Sequence, residues 1–291
     1  MINWPNDLVM ALARRRVVVF VGAGISRQST NAQNKHPCTW REFLVQGAQT
    51  LSVGDMARKA IEGLIKESDY LTACELLKDT MGDQRFRGFI TEKFVTPRFR
   101  YAPIHDSIIS LGARLMATPN FDKIFETRIN AKQDNSVMAK NYYDEELAEI
   151  LLSQNPFVLK VHGSVDKTTK MIFTRSEYAK ARAEFRPFYA ILEALALTHT
   201  FLFLGCGLKD PDIQMLLEDY CTRHRYAAPH YFVLPEGALF AGLRSIYEKT
   251  LNIKILEYDP ARDHRNLRSE IDALAKLASR KRNELAADRS W

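Results

Sequence analysis

The sequence predicts an α/β fold: a Rossmann-like parallel sheet of about six strands flanked by helices, with a helical insertion after the first strand and a C-terminal helix. Three observations carry this. Short apolar runs stop abruptly at glycine, proline or polar residues, helix-period stretches lie between them, and one long interval holds helical patterns without a convincing strand.

The strand-like runs fall at 17–21, 114–117, 157–161, 201–204, 231–234 and 253–257. Helical patterns follow at 144–153, 185–197, 212–222 and 238–249, the alternation that places helices on both faces of a parallel sheet. Between Ser26 and Gly112 the periodicity is helical instead, as at 40–51 and 70–80, so residues 28–112 are expected to form a mostly helical insertion. Its first part, 28–37, is a polar run expected to be a mobile loop beside the site. Near the end, Leu267, Ile271, Leu274, Leu277 and Leu285 recur at helical spacing among charges, predicting one amphipathic helix within 263–291. That helix is expected to cap the domain or meet a partner chain. One domain is expected over 1–291.

Composition narrows the classes. The chain has 291 residues, 46% hydrophobic and 26% charged, a globular balance large enough to bury a substantial core. Cys38, Cys74, Cys206 and Cys221 include no CxxC pair, which argues against a zinc ribbon or disulfide framework and for a reducing cytoplasm. The apolar stretch at 8–13 precedes the arginines at 14–16, the reverse of a secretory leader, and no run reaches the roughly 20 residues of a membrane span. A net charge of +6 attracts anions in general. The basic clusters at 14–16, 98–100 and 280–282 lie far apart without interleaved aromatics, so direct nucleic-acid binding is not expected.

Four strand ends carry the residues suited to chemistry. The first strand runs into Gly22, Ala23, Gly24 and Ser26, a turn that lets a phosphate approach the backbone but lacks both a third glycine and a Walker lysine. The second ends in Thr118-Pro119-Asn120-Phe121-Asp122, an amide and a carboxylate at an edge where ligands of open parallel sheets bind. The third delivers His162-Gly163, an imidazole able to accept a proton near neutral pH. The fourth ends in Gly205-Cys206-Gly207 before Asp212, an expected helix N-cap. Taken singly, a structural turn, an Asx cap or a packing dipeptide explains each piece. Together they fall where one ligand touches all four.

In order, these motifs resemble the sirtuin superfamily, and the Gly207–Asp212 segment resembles the sirtuin-like effectors of bacterial anti-phage defence. The resemblance implies NAD as substrate, with Gly22, Ala23, Gly24 and Ser26 at the pyrophosphate and Asp122 on the nicotinamide carboxamide. It implies Gly205 and Gly207 along the ribose and phosphate path, Asp259 near the adenosine end, and Asn120 and His162 as catalytic residues. Deacylases of the superfamily carry a four-cysteine zinc module that these scattered cysteines cannot supply, so no metal is expected and water becomes the acceptor. The implied function is a cytoplasmic NAD glycohydrolase acting in defence as a homo-oligomer, with a HerA-type hexameric ATPase as candidate partner. The alternatives are an NAD-dependent deacylase or ADP-ribosyltransferase, and a non-enzymatic sensor of ADP-ribose-type nucleotides.

Overall fold

The computed structural model describes residues 1–52, 54–134, 136–148, 152, 155–208, 210–224 and 226–288, apart from the side chain of Asp212. Seven parallel strands form one sheet in the order β3-β4-β2-β1-β5-β6-β7. They are β1 (Val17–Val21), β2 (Leu115–Thr118), β3 (Met138–Asn141), β4 (Phe157–Lys160), β5 (Thr200–Leu204), β6 (His230–Pro235) and β7 (Ile253–Tyr258). All six expected strands form. The seventh, β3, gives no signal in the sequence because an edge strand needs no apolar run, and Met-Ala-Lys-Asn is exposed or half-buried along its length.

Alternation along the strands splits the core in two, since successive side chains point to opposite faces. On one face Val18, Phe20, Leu159, Phe203 and Ile255 pack under α9 (Arg175–Glu184), α10 (Arg186–Thr198) and α11 (Pro211–Arg223). On the other, Val17, Val19, Val158 and Leu202 meet α1 (Asn6–Ala13), α7 (Pro103–Ser110), α8 (Ile124–Lys132) and α13 (Arg265–Ala287). Helix α13 buries Leu267, Ile271, Leu274 and Leu285 as expected, whereas Leu277 turns outward at 40% exposed. It therefore seals a sheet face of its own chain. Between α11 and β7 runs α12 (Ala241–Leu251).

One expected helix falls largely outside the described residues, and another begins earlier than expected. In the stretch 144–153, Glu145–Ala148 form a 3-10 turn and Leu152 is helical, while residues 149–151 and 153 lie outside the described residues. The helix expected from Asp212 begins earlier, at Pro211, and Asp210 rather than Asp212 precedes it, accepting the Ile213 N–H at 3.2 Å. Proline suits the first helical position because its missing N–H is an orphan there anyway.

Between β1 and α7 the chain builds α2 (Ala23–Ser26), α3 (Trp40–Gln49), α4 (Met56–Lys66), α5 (Tyr70–Met81), α6 (Asp83–Ile90) and a π-turn at Thr91–Val95. Residues from α3 to α6, among them Phe43, Ile61, Leu77 and Phe89, share a separate core that also takes in Met171 and Phe173. Polar links tie α5 to α9: Lys78 to Glu177 at 2.7 Å, Glu75 to the Ser176 N–H at 2.8 Å and Arg175 to Asp69 at 2.9 Å. The polar stretch 28–37 makes hydrogen bonds within itself and to Arg27 and Arg100. Asn31 Oδ1 accepts from the Gln33 and Lys35 N–H groups, His36 Nδ1 lies 2.8 Å from the Arg27 carbonyl, and Arg100 N–H donates to the Thr30 carbonyl.

Candidate active site

Strand β1 lies between β2 and β5, so the chain crosses from one side of the sheet to the other around it. Loops leaving the carboxyl ends of these strands diverge there, which is where parallel α/β sheets hold ligands. A cavity of about 730 Å³ opens at this point, within the range of about 300–1,000 Å³ typical of small-molecule sites.

The β1 and β5 turns interlock beneath it. The Gly22 N–H donates to the Leu204 carbonyl at 2.8 Å and the Gly24 N–H to the Gly205 carbonyl at 2.9 Å. A Cβ on Gly22 would stand 2.4 Å from the Gly205 oxygen and 2.7 Å from Cys206 Cα, so only glycine fits. Gly205 is itself left-handed, at φ +64°. Gly22, Ala23, Ser26, Gly205 and Gly207 line the cavity; Gly24 does not, and serves to let the two turns touch. Burial pushes the Cys206 thiol well above its ordinary range, leaving a packing residue rather than a nucleophile.

Thr118 organises the next loop. Its hydroxyl donates to the Val21 carbonyl at 2.7 Å and accepts the Asn120 N–H at 3.1 Å, fixing the turn that Pro119 imposes. Asn120 Nδ2 then donates to Ser26 Oγ at 2.9 Å, joining the second loop to the first. Asp122 is 8% exposed, and its Oδ1 accepts the Ile124 N–H at 3.0 Å at the start of α8. Between them Phe121 stacks on Phe173 with ring centroids 4.1 Å apart, and Phe173 stacks on Phe43 at 5.4 Å. The inserted helices thus press on the loop that carries Asn120.

Strand β4 delivers His162, 3% exposed, into the same cavity. Its ring meets Tyr178 of α9 edge-on at 5.0 Å, with the Tyr178 hydroxyl 3.3 Å from Nε2 and 3.4 Å from Nδ1. Gly163 follows at φ +83°, turning the chain away so that the His162 carbonyl accepts the Ile172 N–H.

The cavity therefore gathers Asn120, Asp122 and His162 with the glycine turns. Asp259 is exposed beyond β7 and does not line this cavity; its carboxylate accepts the Ala261 N–H at 2.8 Å and Asn266 Nδ2 at 3.0 Å. Residues with no sequence signal complete the walls: Trp40, Tyr70 and Phe94 from the insertion, and Tyr178, Arg175 and Arg182 from α9. Cys38 also lines the cavity, its thiol pushed up to about 11 by burial and so protonated at neutral pH. Among the described residues no group of His, Cys, Asp or Glu is arranged to hold a metal ion, and no helix is long and apolar enough to cross a membrane.

Several known proteins are similar to this chain. Residues 114–256 match a family model described as SIR2-like domain. A protein of Enterococcus faecium named NAD(+) hydrolase ThsA is 25% identical over 77% of this chain and 44% of its own length. Defense-associated sirtuin 2 of Bacillus subtilis is 27% identical over 69% of this chain and 19% of its own. The chain thus spans less than half the length of these curated relatives. A solved structure described as "Structural Basis for the Mechanism and Regulation of Sir2 Enzymes" overlays with a TM-score of 0.47 at 16% identity, covering 95% of this chain and 97% of that one.

Proposed function

Residues 114–256 match a SIR2-like domain, and on that likeness we propose that this chain is an NAD glycohydrolase, cleaving NAD to nicotinamide and ADP-ribose. The observation that carries the reading is the convergence of Asn120, Asp122 and His162 with the glycine turns on one cavity at the carboxyl edge of the sheet. The names of relatives in two genera, one an NAD(+) hydrolase and one a defense-associated sirtuin, support the same class.

In this reading Gly22, Ala23, Ser26, Gly205 and Gly207 form the floor against which the phosphates lie, and the aromatic wall of Trp40, Tyr70 and Phe94 meets the rings. Trp40 Nε1 is buried in that wall without a hydrogen-bond partner among the described residues, a donor suited to an oxygen-rich ligand. Asp122 grips the nicotinamide carboxamide. Asn120, oriented by Ser26, positions the ribose or the attacking water, and His162 accepts a proton from that water. The nicotinamide of NAD is a cationic leaving group, so the site has mainly to orient the ribose and stabilise positive charge developing on it. A correctly placed base contributes about 10²–10⁴-fold.

The defence role rests on the relatives' names, and the homo-oligomer and HerA-type partner on the family resemblance. One assay tests the core claim: incubate the protein with NAD, alone and with the candidate ATPase, and quantify products by chromatography. Nicotinamide and ADP-ribose are expected in equal amounts. Asn120→Ala and His162→Ala are expected to lower turnover by about 100-fold or more with an unchanged Tm. Absence of both products in every assembly, or turnover only with an acyl-peptide yielding acyl-ADP-ribose, would falsify the proposal.

A further inference from the structure

We propose that Lys160 is a positioning residue for this site: its buried ammonium, through the Asp122 carbonyl, fixes where Asn120 and Asp122 stand relative to His162. The inference rests on the hydrolase reading for its kinetic consequence, and on geometry alone for its structural one.

Lys160 ends β4, two residues before His162, and lies abreast of Thr118, whose hydroxyl holds the Asn120 N–H. It is 1% exposed. Its Nζ donates to the Asp122 backbone carbonyl and to Glu126, 3.1 Å from Oε1 and 3.2 Å from Oε2. Glu126 belongs to the first turn of α8 and is 6% exposed. One ammonium thus joins the strand that delivers His162, the loop that carries Asn120 and Asp122, and the helix that follows them.

Stability does not explain the pair. Taking two ions out of water costs so much that a well-packed apolar pair of similar volume is often as stable or more so. An apolar pair cannot donate a hydrogen bond to a loop carbonyl, whereas an ammonium offers three donors on one atom. Lys160 and Glu126 line a separate cavity of about 440 Å³ that shares no residue with the site cavity. Lys160 therefore acts through the loop and does not reach the ligand.

The experiment compares Lys160→Met/Glu126→Met, which removes the donor and leaves no buried charge, with Glu126→Gln, which keeps the donor. Three quantities are read in protein held well below its Tm: kcat for NAD, the dissociation constant of ADP-ribose, and the NMR signal of the Asn120 side-chain amide, identified by its loss in Asn120→Ala. In the double variant kcat is expected to fall about tenfold or more and the Asn120 signal to move. ADP-ribose lacks the nicotinamide that Asp122 holds but keeps the ribose beside Asn120, so its affinity is expected to fall by less than kcat does. Glu126→Gln is expected to keep both kcat and signal, where a purely structural pair would make the two variants alike. If the double variant does not fold, Lys160→Met alone gives the same readings, because burial pushes the Glu126 carboxyl up and favours its neutral form in the absence of the ammonium. A wild-type kcat, an unmoved Asn120 signal, or equal losses in both variants overturns the proposal. If the wild type itself releases no nicotinamide, the hydrolase reading fails while the Asn120 signal still decides the role of Lys160.

Discussion

Gly22 and Gly207 mark the difference between a residue that shapes the site and one that faces its contents. Gly22 has the backbone of Gly205 and Cys206 where a methyl group would go, while Gly207 lines the cavity with nothing within 4 Å of a Cβ. Gly22→Ala is therefore expected to lower stability by about 2–3 kcal/mol or more, because backbone cannot move aside as a side-chain tip can. Gly207→Ala is expected to fold with a change within about 0.5 kcal/mol and yet slow NAD cleavage by crowding the ligand path. Thermal denaturation and nicotinamide release on both proteins check this, and equal Tm values would remove the distinction. His162 and Asn120 belong with Gly207, since each reaches the cavity from an already hydrogen-bonded backbone.

At the scale of elements, the sheet carries its own pH dependence. His230 opens β6, and its Nδ1 accepts the Phe201 N–H at 3.1 Å, so a side chain completes the ladder between β5 and β6. Burial pushes this imidazole down to about 4, from an ordinary 6.5. The unfolded chain then binds the extra proton first as pH falls. Stability from neutral His230 is full above about pH 6.5 and is lost toward pH 4, by about 3 kcal/mol, since each tenfold difference in proton affinity between folded and unfolded chains is worth about 1.4 kcal/mol. Urea midpoints at pH 7 and pH 4 should separate less in His230→Phe than in the wild type. An identical separation would show that other groups set the acid limit.

Elements differ in how openly the sequence announces them. Strands buried on both faces, such as β1 and β5, are continuous apolar runs and are legible with their ends. Edge strand β3 is not, because half of the periodicity signal vanishes when a strand's sides face water. Asn120, Asp122 and His162 are legible because each follows a readable strand. Tyr178, Lys160, Glu126 and Trp40 are not, since their importance arises only when α9, β4, α8 and α3 are brought together. Asp259 also follows a readable strand, but that strand, β7, is the far edge of the sheet, away from the divergence around β1.

For the molecule as a whole, three apolar clusters divide the labour, two on the faces of the sheet and one inside the insertion. Helix α13 closes the face shared with α1 and α7, so its buried side chains answer for global stability rather than for the site. Leu274→Ala, fully buried, is expected to cost about 2–5 kcal/mol, and Leu277→Ala, on the outward side, under about 1 kcal/mol. Neither is expected to change kcat for NAD below the Tm. A kcat loss in Leu274→Ala at constant folded fraction would instead couple this face to the cavity.

The interlocked turns of β1 and β5 have a consequence in time. The N–H groups of Gly22 and Gly24 find their acceptors, Leu204 and Gly205, far downstream in the chain. During synthesis, at about 5–20 residues per second, β1 and β2 leave the ribosome well before Leu204 and Gly205 exist. Until β5 arrives, the floor of the cavity is missing one wall. The cavity floor is thus complete only once β5 has docked against β1, however early the first strand is made.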